Sequence, residues 1–195
     1  MDRTALVIVL HEIYGVNDHI RLIGDLISKE GYDVLMPDLL GRDAFAYDQN
    51  EAAYRYFMDE IGFEQALETI RSLVSMNRSK YACICVIGFS IGATLAWLCS
   101  EIAEVDGVIG YYGSRIRSYT AIEPGCPVLL LFASQEKSFH VPELVHALAA
   151  KRDTIVETIQ AEHGYMNPFY PAYNADEFRR GLEKALLFIK KAADK

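Results

Sequence analysis

Short, continuous apolar runs alternate along this chain with segments whose apolar residues recur every three or four positions. Residues 5–10 (ALVIVL) are an unbroken apolar run, the pattern of a strand buried on both faces. Residues 19–29 carry Ile20, Ile23, Leu26 and Ile27 at helical spacing, and residues 32–36 (YDVLM) are a second strand stopped by Pro37. Residues 38–50 are polar and irregular, a surface loop. Residues 51–76 follow a helical pattern with a break near Gly62. Further strands are expected at residues 81–87, 107–111, 127–132 and 154–160. Helices are expected at 93–99, at 142–150 with proline in the first turn, and at 176–190, where Phe178, Leu182, Ala185, Leu186 and Ile189 share one face. This alternation predicts an α/β fold, a mostly parallel central sheet with helices on both faces. Active sites of such sheets lie beyond the carboxyl ends of the strands.

One turn stands out against this pattern. Gly88-Phe89-Ser90-Ile91-Gly92 joins the strand at 81–87 to the helix at 93–99. Strand, Gly-x-Ser-x-Gly, helix is the context of a nucleophile elbow. The turn is tight enough that glycines two residues either side of the serine are needed to avoid Cβ clashes with strand and helix. Ser90 is therefore the expected nucleophile, with its hydroxyl above a helix N-terminus.

A serine hydroxyl needs a general base within hydrogen-bond reach. Of the five histidines, His163 follows the last strand and satisfies the order nucleophile, acid, base. His19 and His146 fall within helices and read as exposed or half-buried structural residues. His11 reads as holding the geometry of the first loop, and His140 is the competitor for the base. The acid is expected after the strand at 127–132, where Glu136 is the only carboxylate before the next helix. It would hold the imidazole tautomer and stabilise the imidazolium. An oxyanion hole needs two backbone N–H groups, expected from Ile91 and from the first loop, residues 11–15. Losing one such donor costs on the order of 3 kcal/mol of transition-state stabilisation.

Composition narrows the class. The chain has 195 residues, 51% hydrophobic and 24% charged, suited to one domain spanning residues 1–195. Its formal net charge of -8, with no basic cluster, argues against a nucleic-acid partner. No apolar run is long enough to span a membrane, and residues 1–10 lack the features of a secretory leader. Cys83, Cys85, Cys99 and Cys126 read as buried small hydrophobes of a reducing compartment, with no zinc-ligand spacing. A cytoplasmic location with no metal is the expectation.

With these pieces placed, the chain resembles the dienelactone hydrolase family. The resemblance rests on residues 11–17 (HEIYGVN), 31–42 (GYDVLMPDLLGR), 88–93 (GFSIGA), 111–113 (YYG), Val141-Pro142 and 162–165 (EHGY), and covers nearly the whole chain. It implies an α/β-hydrolase fold without a large cap domain, no cofactor, and hydrolysis of lactones or small carboxylic esters. It implies oxyanion N–H groups from Ile13 and Ile91, and matches Glu12 to a glutamate that contacts the resting nucleophile. This sequence departs from the family pattern in three places. Ser90 stands where the best-known members have cysteine. The acid loop is longer, so that counting from one side reaches Glu136 and from the other Ser138. Asn167 stands where an arginine gripping a substrate carboxylate is expected, and Arg55 is the candidate for a second basic position.

The expected function is cleavage of a small neutral or weakly polar ester, lactone or thioester through an acyl-enzyme on Ser90. Tyr14, Phe89, Tyr112, Phe139 and Tyr165 are expected to shape an aromatic pocket. The alternatives are a ligand-binding protein on the same scaffold, and an acyltransferase or peptidase using the same nucleophile. The small-molecule substrate is the expected partner. Its identity and the oligomeric state, a homodimer included, are left open.

Overall fold

The computed structural model of the chain describes residues 5–194. The ends of the expected domain, residues 1–4 and 195, lie outside the described residues, as does the start of the segment read as lacking a leader. Among the described residues six strands form one sheet: β1 (Ala5–Leu10), β2 (Asp33–Leu35), β3 (Cys83–Phe89), β4 (Gly107–Tyr111), β5 (Val128–Gln135) and β6 (Thr154–Glu162). Their order across the sheet is β2-β1-β3-β4-β5-β6, and every neighbouring pair is parallel. The helices are α1 (Asp18–Lys29), α2 (Asn50–Tyr56), α3 (Gly62–Arg78), α4 (Ile91–Cys99), α5 (Val141–Ala149) and α6 (Ala175–Ala193).

Alternation along the central strands sorts the apolar residues onto two faces. Leu6, Ile8 and Leu10 of β1 join Ile84 and Val86 of β3 in one core, completed by Ile70 and Val74 of α3, Leu95 of α4 and Leu144 of α5. Ala5, Val7 and Val9 join Cys85, Ile87 and Phe89 in the other, completed by Ile20, Ile23 and Ile27 of α1 and Ala185 and Ile189 of α6. A strand between two such layers has no polar face to show, which is why β1 and β3 read as unbroken apolar runs. All four cysteines are buried in these layers.

Helix ends follow side-chain capping. The Asn17 side chain accepts from the Ile20 N–H and starts α1, and the Asn174 side chain accepts from the Asp176 and Glu177 N–H groups and starts α6. Pro142 sits in the first turn of α5. The expected break at Gly62 is present: a π-helical turn over Phe57–Ile61 ends there, at φ 70°. Among the described residues no large cap domain covers the carboxyl edge of the sheet. Among the described residues no helix is long and apolar enough to cross a membrane.

Several strands run past their expected ends, and this matters for the site. β3 extends through Phe89, because Gly88 pairs with Leu10 and Phe89 with Tyr111. β5 and β6 extend to Gln135 and Glu162, which pair across a register shift that begins at Ala133. Their last residues are polar, so the apolar pattern stops before the backbone ladder does. Ser90, Glu136 and His163 are thus each the first residue beyond a parallel strand.

Candidate active site

Ser90 occupies a left-handed backbone conformation, φ 55° and ψ −112°, which is rare for a residue with a side chain. Its N–H donates to the Tyr111 carbonyl at 3.0 Å, and its carbonyl accepts from Ala93 and Thr94 at 3.1 and 3.2 Å. The flanking glycines make the turn sterically feasible. A Cβ on Gly88 would lie 2.0 Å from the Gly92 carbonyl oxygen, and one on Gly92 would lie 2.4 Å from the Leu10 carbonyl oxygen.

The Ser90 hydroxyl lies 3.0 Å from His163 Nε2, and His163 Nδ1 lies 2.6 Å from Glu136 Oε1. A carboxylate only accepts, so Nδ1 carries the proton and Nε2 is left to accept from the serine. The Glu136 side chain is 4% exposed and that of His163 36%, so the carboxylate is shielded while the imidazole edge meets solvent. The ring of Tyr112 packs 4.8 Å from the His163 ring and 5.4 Å from that of Tyr165. Tyr112 is itself in a left-handed turn, φ 43°, directly after β4. Ser138 lines the open cleft beside Glu136. Ile91 is the first residue of α4, where backbone N–H groups lack intrahelical partners. Ile13 lines a small chamber together with Ser90 and His163.

The first loop is held from beneath by His11. This buried ring donates from Nδ1 to the Glu12 carbonyl at 2.6 Å and accepts at Nε2 from the Leu39 N–H at 3.0 Å. Burial pushes its pKa down, against the opposing pull of the Glu12 carbonyl and of the Asp38 and Glu12 charges. The imidazole is thus held neutral with its proton on Nδ1.

Glu12, 4% exposed, is enclosed by donors. The Tyr112 hydroxyl donates to Oε1 at 3.1 Å and Asn167 Nδ2 to Oε2 at 3.2 Å, while His19 Nδ1 lies 3.6 Å from Oε2. Burial alone would raise the carboxyl pKa. The combined pull of His19, His163 and the Tyr112 hydroxyl outweighs it and holds the group below its ordinary value. Asn167 also donates to the Tyr47 hydroxyl at 3.0 Å. Asn167 therefore holds Glu12 in place with a neutral amide.

Some expectations are corrected. His19 is wholly buried rather than exposed or half-buried, edge-on to Phe89 at 4.8 Å. His140 is exposed and pairs with Glu143, away from Ser90. Arg55 is exposed and pairs with Glu51. Of the five aromatic residues expected to shape the site, Tyr14 alone lines the chamber at Ser90. Phe89 is fully buried and stacked on Tyr111 beneath the elbow. Tyr112 and Tyr165 are buried behind His163. Phe139 packs on Phe132 and carries the Arg117 guanidinium over its ring. Side-chain direction decides each case: loop position brings a ring near the edge of the sheet, but the core claims whichever face it can bury. Three lining residues were missed, Asn50, Gly164 and Tyr170. Tyr170 lies on the loop that carries His163, which is a usable signal. Asn50, the first residue of α2, arrives from a distant segment and leaves no local mark.

The comparisons with known proteins agree with this architecture. The model of the dienelactone hydrolase family matches residues 2–193. The Bacillus subtilis (strain 168) protein YczH, itself described as uncharacterized, is 42% identical over 192 residues, covering 97% of this chain and 92% of its own length. A Yersinia pestis protein provisionally described as a carboxymethylenebutenolidase is 26% identical, covering 93% of this chain and 76% of its own. In fold, the chain matches the crystal structure of a Klebsiella pneumoniae protein provisionally described as a dienelactone hydrolase, with TM-score 0.80 at 20% identity, over 95% of this chain and 86% of that one. The chain belongs to the dienelactone hydrolase family, among the ester-cleaving enzymes of the α/β-hydrolase fold.

Proposed function

We propose that the chain is a serine esterase in which Ser90, His163 and Glu136 form the catalytic triad. The observation that carries the reading is one imidazole bonded at both nitrogens, 3.0 Å from the Ser90 hydroxyl and 2.6 Å from the Glu136 carboxylate. Ser90 Oγ attacks the ester carbonyl carbon as its proton passes to His163 Nε2. The negative oxygen of the tetrahedral intermediate is met by the N–H groups of Ile13 and Ile91. The acyl carbon–oxygen bond then breaks, and His163 returns the proton to the departing alkoxide. Water, deprotonated by the same imidazole, releases the acid and regenerates Ser90. Glu136 fixes the tautomer and stabilises the imidazolium without itself being protonated.

The substrate is a small neutral ester, lactone or thioester. The position expected of a carboxylate-gripping arginine is Asn167, engaged with Glu12. A fixed anion backed by a neutral amide offers an anionic acyl group no counter-charge.

A fluorophosphonate is expected to label Ser90, and p-nitrophenyl acetate to be cleaved with a burst of nitrophenol. Ser90→Ala and His163→Ala are each expected to lower kcat by about 10⁴-fold or more, because triad members act as a unit. Full activity in Ser90→Ala would end this reading.

A further inference from the structure

Two cavities meet at His163, and they differ in size and in chemistry. The first is a chamber of about 50 Å³, bounded by Glu12, Ile13, Tyr14, Ser90 and Tyr170. The second is an open cleft of about 640 Å³, bounded by the amide and hydroxyl groups of Asn50, Ser114, Gln135 and Ser138, by the charged groups of Glu136, Lys137 and Glu162, and by Tyr170 with Pro171 and Ala172 beside it. Given the serine-esterase reading above, on which this inference rests, the reaction itself decides which end of an ester enters which space. The carbonyl must sit at Ser90 with its oxygen toward Ile13, and both line the small chamber. The departing oxygen must lie within reach of His163 Nε2, the nitrogen that protonates it. His163 borders both spaces, while Ser90 borders only the chamber. The acyl group therefore goes into the chamber and the alcohol into the cleft.

The geometry points to an ester of acetate-sized acyl length on a neutral, hydroxyl-rich alcohol, so that the chain acts as a deacetylase of polyol or carbohydrate esters. The chamber is small, about 50 Å³ where a single water needs about 10–15 Å³ of such space, so it takes an acyl group of only a few heavy atoms. Its walls are anchored. Glu12 is held by Tyr112 and Asn167. The Tyr14 hydroxyl accepts from Asn50 Nδ2 at 2.9 Å, and its ring packs edge-on against Tyr47 at 4.9 Å. Tyr14 is 5% exposed, so a longer acyl chain has to displace a buried, bonded side chain. A wall containing a carboxylate also disfavours an apolar tail. In the cleft the preference reverses. An aliphatic alcohol would desolvate amide, hydroxyl and charged groups, Lys137 and Glu162 among them, without replacing their hydrogen bonds, whereas hydroxyls can both donate to the carboxylates and accept from the ammonium. The part of the half-buried Tyr170 ring that borders the cleft offers a surface on which the apolar face of a sugar ring can lie.

The step balances without a co-reactant. The Ser90 Oγ–acyl bond forms, the acyl–alkoxide bond breaks, the serine proton passes through His163 Nε2 to the polyol, and water releases acetate.

The test is a panel on the full chain: p-nitrophenyl acetate, butyrate and hexanoate for the acyl side, and a monoacetylated methyl glucoside against hexyl acetate for the alcohol side. Fluorophosphonate labelling of Ser90 is run in parallel. We expect kcat/KM to fall about tenfold or more from acetate to butyrate, and the acetyl glucoside to exceed hexyl acetate by about tenfold or more. Tyr170→Ala, which opens a wall shared by both spaces, is expected to raise butyrate relative to acetate and to shrink the glucoside preference. Butyrate or hexanoate cleaved as well as acetate overturns the acyl assignment, and hexyl acetate cleaved as well as the glucoside overturns the alcohol assignment. Labelling of Ser90 with no turnover of any acetate overturns this proposal alone. Absence of both labelling and turnover overturns the serine-esterase reading beneath it.

Discussion

Glu136 is the residue on which the arrangement is most exposed to test. Its carboxylate is almost wholly shielded, and its bond to His163 Nδ1 selects the tautomer that leaves Nε2 able to accept the serine proton. Glu136→Gln keeps the size but offers the imidazole an amide, which can donate to Nδ1 and favour the wrong tautomer. A loss in kcat of between about a hundredfold and about ten-thousandfold is expected on p-nitrophenyl acetate, with the fold retained by circular dichroism. A wild-type rate would return Ser138 and the rest of that loop to consideration. His11 has a different role and a different readout. Its pKa is depressed from 6.5 by burial, so the folded chain binds a proton less readily there than the unfolded chain. The stability this contributes is present above about pH 6.5 and is lost as pH falls toward the lower, folded value. Thermal melts between pH 7.5 and pH 5 are expected to show a falling Tm in the native chain and a shallower fall in His11→Gln. Equal slopes would remove His11 from the acid lability. Glu12, also depressed, acts with the same sign in a window below about pH 4.5.

At the scale of elements, the elbow is set by two close approaches rather than by one strained residue. Gly92 packs its Cα against the end of β1, where an added Cβ would meet the Leu10 and His11 carbonyl oxygens at 2.4 and 2.6 Å. Gly92→Ala must therefore push α4 away from the loop that carries Ile13. We expect kcat to fall by about tenfold or more even where a folded protein is recovered, since donor placement at the oxyanion is what moves. A folded Gly92→Ala protein with unchanged kcat would contradict this. The elements also show what could be read from the chain alone. Strands between two helical layers announce themselves as unbroken apolar runs, and the helices on either side as periodic ones, so all six strands and their alternation with helices were legible. The ends of β5 and β6 were not, because Ser134, Gln135 and Glu162 are polar at a sheet edge where the ladder continues without a core to pack. The direction of side chains was hidden for the same kind of reason. The periodicity of α1 put His19 on a helix but did not reveal that Phe89 and Glu12 close over it. Tyr47 and Asn50 sit together at the start of α2, far in sequence from Asn167 and Tyr14, and their meeting depends on packing that no local pattern records.

At the scale of the whole molecule, the sheet order places its functional groups unevenly. Ser90 follows β3, in the middle of the sheet, whereas His163 follows β6, an edge strand. β6 is held by β5 on one side only, and its early part is half-exposed, with Ile155 56% exposed. The surroundings of Ser90 can therefore condense before His163 arrives. During refolding from denaturant, helical circular dichroism and the burial of Trp97, deep under the elbow in α4, are expected to recover ahead of reactivity toward a fluorophosphonate. Simultaneous recovery of all three signals would show that the edge strand joins with the rest. The asymmetry separates the two halves of the proposed proton transfer: a polypeptide lacking β6 and the loop after it would keep the turn at residues 88–92 but would have no imidazole to take the Ser90 proton under the proposed mechanism.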